Sequence, residues 1–414
     1  MKTRGPEYEN IVSATKGLSR RDFLKGLAAV SIGAAGGFGI LPQMAFGATS
    51  DSITRYTYLS LKNYTDWLAR EGAKGFIGEI NWPNDLQRNS GDEAQWNTLG
   101  ARWYSWAKRA GLWTTMHCVD ETQLWGGFWL TSYVSPGDKT RPISQPNSQA
   151  QVYERYPSSG RVKGVFRNGL QVAGAQKWKD DINSNVSPGV YDKDYWYASQ
   201  ETMNYLKSKG TDIIRLPFRW ERLQPSLGGT LNPTELQNLK ACVSRAGNAG
   251  LQVILSLQNY GGYWASRNGA PYKLKLGTLD LSEKYFYNIW RALSLQFKSN
   301  STVIAYDLMN EPDNRGGMGA GGFGSDVKAW EVYSRRCVWT LRNGGDNKLI
   351  VVEGMSGPRS WSKTHPTKWI KDPANNHMYS THHYFDTYRG PDTGGGHYVN
   401  SYANENAYLA SKGY

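Results

Sequence analysis

The chain has 414 residues, a formal net charge of +13 at pH 7 and an aromatic content of 13%. Lysine and arginine are scattered without a dense basic run, which argues against a nucleic-acid-binding protein despite the positive charge. The length exceeds that of a typical single domain, but α/β barrels reach this size as one unit. The 17 tryptophans and 26 tyrosines are suited to stacking on sugar rings, although an aromatic-rich core would account for them equally well.

The N-terminal segment has the pattern of an export signal. Residues 19–25 (SRRDFLK) form a twin-arginine signature, an apolar run follows over 27–41, and small residues stand at 45, 47 and 48. The run is shorter than the ~18–20 apolar residues of a membrane span, which favours a signal peptide over a transmembrane anchor. We therefore predict that residues 1–48 are removed and that 49–414 form one catalytic domain. The mature protein is expected in the periplasm or outside the cell, without a membrane anchor.

After residue 50, short apolar runs alternate with amphipathic stretches, a pattern typical of a parallel α/β architecture. Strands are predicted over 75–80, 112–118, 164–170, 211–218, 251–258, 302–309, 348–353 and 377–384. Helices are predicted over 96–109, 197–207, 233–249, 285–297 and 329–342. Eight strands with intervening helices are the number that closes a (β/α)8, or TIM, barrel.

Polar residues stand at the C-terminal ends of most predicted strands, which is where a (β/α)8 barrel places its active site. Packing alone does not explain so many polar groups at equivalent positions, so we expect them to meet at one end of the barrel. They are Glu79, Arg215, Gln258, Asn259, Asn310, Glu311, Glu353, His382 and Tyr384.

Several of these strand ends resemble the motifs of glycoside hydrolase family 5, which contains many cellulase-like endoglucanases. Residues 307–312 (DLMNEP) resemble the acid/base motif of that family. Residues 215–223 (RLPFRWERL) resemble its second strand, and 255–260 (LSLQNY) resemble its third. Residues 382–384 (HHY) match the His-x-Tyr of its sixth strand.

The seventh strand of the family carries the nucleophile and would follow His-x-Tyr, yet the sequence stops at residue 414. Residues 75–82 (GFIGEINW) resemble that strand instead, while 112–118 and 124–127 (LWGG) resemble the eighth strand and its loop. We therefore predict a circularly permuted barrel in which strands 7 and 8 precede strands 1 to 6. A truncated gene with a fragment of another domain in front is the alternative. The occurrence of each strand once, without repetition, favours the permutation.

The resemblance implies a retaining endo-β-glycosidase that hydrolyses a β-linked polysaccharide, with β-1,4-glucan expected first. Glu311 is the expected acid/base and Glu79 the expected nucleophile, whereas Glu353, which also ends a strand, is the competing nucleophile. Retention requires two carboxyl groups about 5–5.5 Å apart. The same two glutamates would serve a β-mannanase or a transglycosylase. A non-catalytic glycan-binding barrel is the remaining alternative, which the presence of both motif glutamates argues against.

Two departures from the family lie near the reacting sugar. Gln258 replaces the usual histidine, and the eighth strand lacks the usual tryptophan, for which His117 or Trp125 would substitute. Both put the identity of the sugar in question more than the reaction type. No cofactor and no metal site are predicted, and we expect a monomer whose partner is a polysaccharide or oligosaccharide. The predicted substrate-binding residues are Arg215, Gln258, Asn259, Tyr260, Asn310, His382, Tyr384, Trp82, His117, Trp125 and Trp264.

Overall fold

The computed structural model describes residues 41–43, 51–83, 91–119, 133, 146–158, 167–172, 184–312, 326–385 and 401–414. Its strands, numbered in chain order, are β1 (Gly75–Asn81), β2 (Trp113–Val119), β3 (Arg167–Val172), β4 (Ile213–Phe218), β5 (Gln252–Leu257), β6 (Gly262–Arg267), β7 (Ala270–Lys275), β8 (Val303–Asp307), β9 (Leu349–Glu353) and β10 (His377–Tyr384).

Ten α-helices are present in the described part of the chain, and a 3₁₀ turn at Pro358–Ser360 precedes the ninth. The helices are α1 (Ser52–Glu71), α2 (Glu93–Ala110), α3 (Ser148–Tyr153), α4 (Gln200–Ser208), α5 (Trp220–Leu223), α6 (Pro233–Asn248), α7 (Glu283–Phe297), α8 (Val327–Asn343), α9 (Trp361–Thr364) and α10 (Tyr402–Ser411).

Local sequence fixes where several helices begin and end. The side chain of Asp51 accepts a hydrogen bond from the main chain of Thr54 and starts α1, which Gly72 ends in a left-handed conformation (φ 58°). Asn232 caps α6 in the same way, and Pro233 follows it at the first helical position. These caps satisfy main-chain groups that the helix itself leaves without partners.

Eight parallel strands close a barrel in the order β1-β10-β9-β8-β5-β4-β3-β2. The predicted (β/α)8 barrel is therefore confirmed, and each predicted strand is present with boundaries shifted by a few residues. β1 closes the ring, because it pairs with β10 on one side and with β2 on the other. The order of family strands along the chain stays a prediction.

The β6–β7 hairpin was not predicted. It is antiparallel, lies outside the barrel sheet and turns at Asn268-Gly269, where both residues have positive φ. An Asn-Gly pair between short strands is the sequence signal of a type I′ hairpin. The hairpin follows β5 and thus stands at the C-terminal end of the barrel.

Two hydrophobic clusters hold the barrel together. The larger one lies between the strands and the surrounding helices. The smaller one lies inside the barrel, because its members come from β1, β2, β4, β5, β8, β9 and β10 and pack against one another. They are Phe76, Trp113, Ile213, Ile254, Ala305, Leu349, Val351 and Met378.

The predicted export segment falls almost entirely outside the described residues, which include only 41–43 of it. In the part of the chain that the structure describes, no helix combines the length and the apolar character needed to cross a membrane.

Candidate active site

The smaller hydrophobic cluster forms an apolar plug inside the barrel, and a polar layer follows this plug on the same strands. Successive residues of a strand point to opposite faces, so the side chain two positions further on points into the barrel again. Arg215 thus follows Ile213, and Glu353 follows Val351. The layer is fully buried and consists of Arg215, Ser256, Asp307, Glu353 and Ser380.

Glu79 on β1 and Glu311 just after β8 meet above this layer. His382 lies between them, with its Nδ1 2.8 Å from Glu311 Oε1 and 3.5 Å from Glu79 Oε2. One side-chain atom of each of the three residues lies within 4.8 Å of the other two. The two carboxyl groups therefore stand side by side around one imidazole ring.

Glu79 is held as a carboxylate. Arg215 Nη1 lies 2.9 Å from Glu79 Oε1, and the Tyr384 hydroxyl donates to Oε2 at 2.5 Å. Burial by itself would raise the pKa of Glu79, but the charges of His382, His117 and Arg215 and the hydrogen bond from Tyr384 outweigh it and lower the pKa well below its ordinary value. Glu79 is therefore ionised at neutral pH.

Arg215 connects the polar layer to the carboxylate pair. Its Nε and Nη2 donate to Asp307 Oδ2 at 2.8 and 2.7 Å, and Nη2 also donates to Asn310 Oδ1 at 2.6 Å. Burial opposes its charge, but Asp307, Glu79 and Glu353 raise the pKa of Arg215 above its ordinary value. The guanidinium therefore stays charged and fixes the amide of Asn310 beside Glu311.

His382 is positively charged in this setting. Burial would lower its pKa, but the charges of Glu353 and Glu79 and the contacts with Glu311 and Glu353 raise the pKa of His382 to about 10. Both ring nitrogens then carry protons, so Nδ1 donates toward the carboxylate pair.

Gln258 and His117 each have a buried polar atom without a hydrogen-bond partner among the described residues. Gln258 is 1% exposed, and its Nε2 lies 3.5 Å from the Tyr260 hydroxyl. Gln258 Oε1 and His117 Nδ1 have no hydrogen-bond partner among the described residues. A buried polar atom without a partner costs about 1–3 kcal/mol. These atoms are therefore suited to bind hydroxyl groups of a sugar beside Glu79.

Three predicted substrate contacts lie elsewhere or cannot be placed. Trp82 is 0% exposed and stacks on Phe385 at 5.4 Å between ring centroids, so it packs in the core rather than presenting a face to a sugar. Asn259 is also buried. Its side-chain amide accepts a hydrogen bond from the main chain of Trp220 and donates one to the carboxylate of Glu221. Trp125 lies outside the described residues. Trp264 lies on β6 and is half-buried.

Asp307 and Ser256 were not among the predicted site residues. Asp307 Oδ2 accepts hydrogen bonds from Arg215 and from the Ser256 hydroxyl, the latter at 2.8 Å. The available signal was the period of two along the strands, since Asp307 follows Ala305 of the apolar plug. Both residues lie one layer below the carboxylates and fix the guanidinium that holds Glu79.

A (β/α)8 barrel with two facing glutamates at its mouth has the architecture of a barrel glycoside hydrolase. Residues 174–414, more than half of the chain, match the family model described as cellulase (glycosyl hydrolase family 5). The chain therefore belongs to glycosyl hydrolase family 5.

Several proteins are similar to part of the chain. A probable endo-beta-1,4-glucanase B of Aspergillus oryzae is 29% identical over 223 residues, which are 53% of this chain and 60% of the relative. An endoglucanase of Paenibacillus polymyxa is 29% identical over 174 residues, which are 39% of this chain and 41% of that protein. The solved structure of an endo-beta-1,4-glucanase from Xanthomonas axonopodis pv. citri is 30% identical with a TM-score of 0.41, over 50% of this chain and 63% of that one. The chain thus spans at most about two thirds of each relative.

Proposed function

We propose that this protein is a retaining endo-β-glycosidase that hydrolyses β-1,4-glucan by double displacement, with Glu79 as the nucleophile and Glu311 as the acid/base. The observation that carries the proposal is the juxtaposition of these two carboxyl groups around His382, within 4.8 Å. Membership of family 5 supports the reaction. The similarity to a probable endo-beta-1,4-glucanase B of Aspergillus oryzae supports the substrate.

In the first step, a Glu79 oxygen attacks the anomeric carbon while Glu311 gives its proton to the departing glycosidic oxygen. The bond to the leaving sugar breaks and an ester between Glu79 and the glycosyl unit forms. The low pKa of Glu79, which its neighbours maintain against burial, supports this division of roles because it keeps the attacking group ionised.

In the second step, Glu311 takes a proton from a water molecule, which attacks the anomeric carbon and releases Glu79. Two inversions give a product with the original configuration. Asn310, whose amide oxygen is fixed by Arg215, keeps its amide nitrogen for the 2-hydroxyl of the sugar. Positioned donors of this kind stabilise charge that develops in the transition state.

A panel of soluble β-glucans, mannans and xylans tests the proposal. Wild type is expected to cleave a β-1,4-glucan, and Glu311→Gln to lower kcat by about 10²–10⁴-fold. Glu79→Gln is expected to lose turnover by several orders of magnitude. Glu331→Gln is the matched control, because Glu331 is a partly buried glutamate that contacts Lys328 and His365 instead of the site. Cleavage of mannan alone would identify a mannanase with the same two glutamates.

Azide distinguishes the two roles on an activated aryl glycoside. Glu79→Ala with azide is expected to give a glycosyl azide of inverted configuration, because the anion replaces the nucleophile. Glu311→Ala is expected to give the retained configuration, because the azide then attacks the ester. Full activity of Glu79→Gln beside an inactive Glu311→Gln would refute the assignment and make Glu353 the nucleophile.

A circular permutation is part of the proposal. The family match begins at residue 174, so β1, β2 and β3 lie outside it, yet they complete the barrel between β10 and β4. The helix α10 after β10 contacts the start of α1 before β1, since the main chain of Ser52 donates to Asn406 Oδ1 at 2.7 Å. The Ser52 hydroxyl also donates to the main-chain oxygen of Tyr414 at 2.7 Å. These contacts support the proposal that α10 and α1 together correspond to the helix between family strands 6 and 7.

Restoring the family order tests the permutation. Residue 414 is joined to residue 51 by a short linker, and new termini are opened between β2 and β3. The reordered protein is expected to fold and to keep its activity, because chain ends close to each other tolerate such a change. A reordered protein that folds without activity would argue against the permutation. The control opens the chain within β8 and is expected not to fold.

Export by the twin-arginine route is proposed for the segment before the barrel. The paired Arg20 and Arg21 and the apolar run after them support it. Replacing both arginines with lysine is expected to keep the protein in the cytoplasm, as measured by fractionation. Unchanged export of this variant would contradict the proposed route.

A further inference from the structure

A third carboxylate lies behind the catalytic pair. Glu353, the last residue of β9, is 0% exposed. Its Oε2 lies 3.2 Å from His382 Nε2 and accepts a hydrogen bond from the main chain of Glu311 at 3.1 Å. The same oxygen is 3.9 Å from Arg215 Nη2, and because Glu353 is fully buried whereas Glu79 is 5% exposed, Glu353 is the poorer candidate for attack on a sugar. Trp330 Nε1 donates to the main-chain oxygen of Glu353 at 2.7 Å and so fixes this strand end.

We propose that Glu353 is a positioning residue, which fixes the ring of His382 and the main chain of Glu311 so that His382 Nδ1 faces both catalytic carboxyl groups. This inference rests on the proposed function, because it gives Glu79 and Glu311 their catalytic roles. It excludes Glu353 itself from contact with substrate.

The position of His382 depends on its second nitrogen. Nδ1 reaches Glu311 and Glu79 on one side of the ring, while on the other side Nε2 makes an ion-pair contact with Glu353 Oε2 at 3.2 Å that falls outside hydrogen-bond geometry. Burial opposes a charged ring, and the carboxylate of Glu353 is the strongest influence that raises the pKa of His382 against it. Without that charge, the pKa of His382 is expected to fall and the ring to lose the ion-pair contact of its Nε2.

The backbone of Glu311 depends on the same oxygen. Glu311 has a φ of 42°, in the left-handed region that residues other than glycine rarely adopt. The hydrogen bond from its main-chain nitrogen to Glu353 Oε2 stabilises that conformation. Glu353 therefore holds the acid/base through its main chain and the histidine through its ring.

Among the described residues, other charged and titratable groups contact the His382 ring, act on it through their charge, or contact Glu79 and Arg215 beside it. They come from five strands and from the segment after β8, so the effect of Glu353 must be measured against them. They are Glu79, His117, Arg215, Asp307, Glu311 and Tyr384.

The test is a titration of the His382 ring by nitrogen-15 NMR in the full mature protein, together with the pH profile of kcat. In wild type, His382 is expected to stay protonated up to about pH 10. In Glu353→Gln the midpoint is expected to fall by about 1–3 pH units. The misplaced groups are expected to lower kcat by up to about 10²-fold. Glu353→Asp keeps the charge and is expected to restore part of the His382 midpoint and part of kcat.

Asp372→Asn is the matched control. Asp372 is a fully buried carboxylate that pairs with Arg342 at 2.7 Å, at the opposite end of the barrel strands. Its loss is expected to lower Tm without moving the His382 titration. An unchanged His382 midpoint in Glu353→Gln would overturn the inference.

Two further outcomes separate this inference from the proposed function. If Glu353→Gln does not fold, the wild-type titration alone decides, and a His382 midpoint below pH 8 overturns the inference. If wild type cleaves no glycan while Glu353→Gln still shifts the His382 midpoint, the proposed function fails and the placement of the His382 ring by Glu353 is supported.

Discussion

Replacing Tyr384 with phenylalanine removes one hydrogen bond from Glu79 and leaves the other contacts of that carboxylate in place. The Tyr384 hydroxyl donates to Oε2 at 2.5 Å, whereas Arg215 contacts Oε1 at 2.9 Å. A hydrogen bond to a charged group contributes about 1.5–3 kcal/mol. Because one pKa unit corresponds to about 1.4 kcal/mol, the loss is expected to raise the pKa of Glu79 by about 1–2 units.

The sign of the effect follows from the direction of the wild-type shift. The pKa of Glu79 is low because its positive neighbours and Tyr384 outweigh burial, so Glu79 is ionised and active above that pKa. Raising the pKa leaves a larger fraction of Glu79 protonated in acid. The acidic limb of kcat/KM is therefore expected to move to higher pH by the same about 1–2 units.

The assay is kcat/KM on a soluble β-1,4-glucan from pH 8 down to the lowest pH at which Tm shows each variant folded, so that the range extends well below the ordinary pKa of a glutamate. Tyr306→Phe is the matched control, because the buried Tyr306 hydroxyl donates to Asp346 Oδ2 at 2.8 Å, away from the site. It is expected to leave the acidic limb unchanged. A Tyr384→Phe variant that folds and keeps the wild-type acidic limb would refute the argument that this hydroxyl holds Glu79 ionised.

Three further predictions concern buried polar groups. Arg215→Met is expected to lower the free energy of unfolding by about 3–5 kcal/mol, because it leaves buried carboxylates uncompensated. Adding Asp307→Asn should restore part of that free energy in urea unfolding, because it removes one of those carboxylates. A double variant no more stable than Arg215→Met would contradict the contribution of this ion pair. Burial and the charge of Arg219 lower the pKa of Lys273 from 10.5 to about 7. The buried charge of Lys273 therefore destabilises the folded protein fully below pH 7, and this destabilisation disappears as the pH rises to 10.5. Lys273→Met should therefore gain more stability at pH 6 than at pH 10, and a gain independent of pH would refute this. Gln258→Ala is expected to lower kcat/KM by up to about 10-fold at unchanged Tm through the loss of one sugar hydrogen bond, and an unchanged kcat/KM would count against that contact.

The strands of the barrel were predictable because parallel strands are buried on both faces. Such strands read as continuous apolar runs, and the polar residue at the end of each run marks the barrel mouth. The β6–β7 hairpin was missed because its strands are short and partly exposed, with no hydrophobic run. Its Asn268-Gly269 turn was the only local signal.

The surroundings of an aromatic residue were not predictable. Trp82 follows β1 directly and was expected to face a sugar, yet it packs on Phe385 and against Gly100 of α2. A side chain at Gly100 would come within 2.5 Å of the Trp82 ring, so the close approach of helix and strand fixes the ring in the core. Nothing in the local sequence distinguishes that environment from a substrate cleft.

The sequence by itself determined the class of fold and the carboxyl groups that stand at the strand ends, because both follow from local hydrophobic patterns and short motifs. The tertiary structure alone decided which groups touch. Arg215 pairs with Asp307 across 92 positions, and Tyr384 contacts Glu79 across 305. Such contacts arise only when the barrel closes and brings distant strands side by side. The ionisation of Glu79 and His382 depends on them, since burial and neighbouring charges set a pKa together.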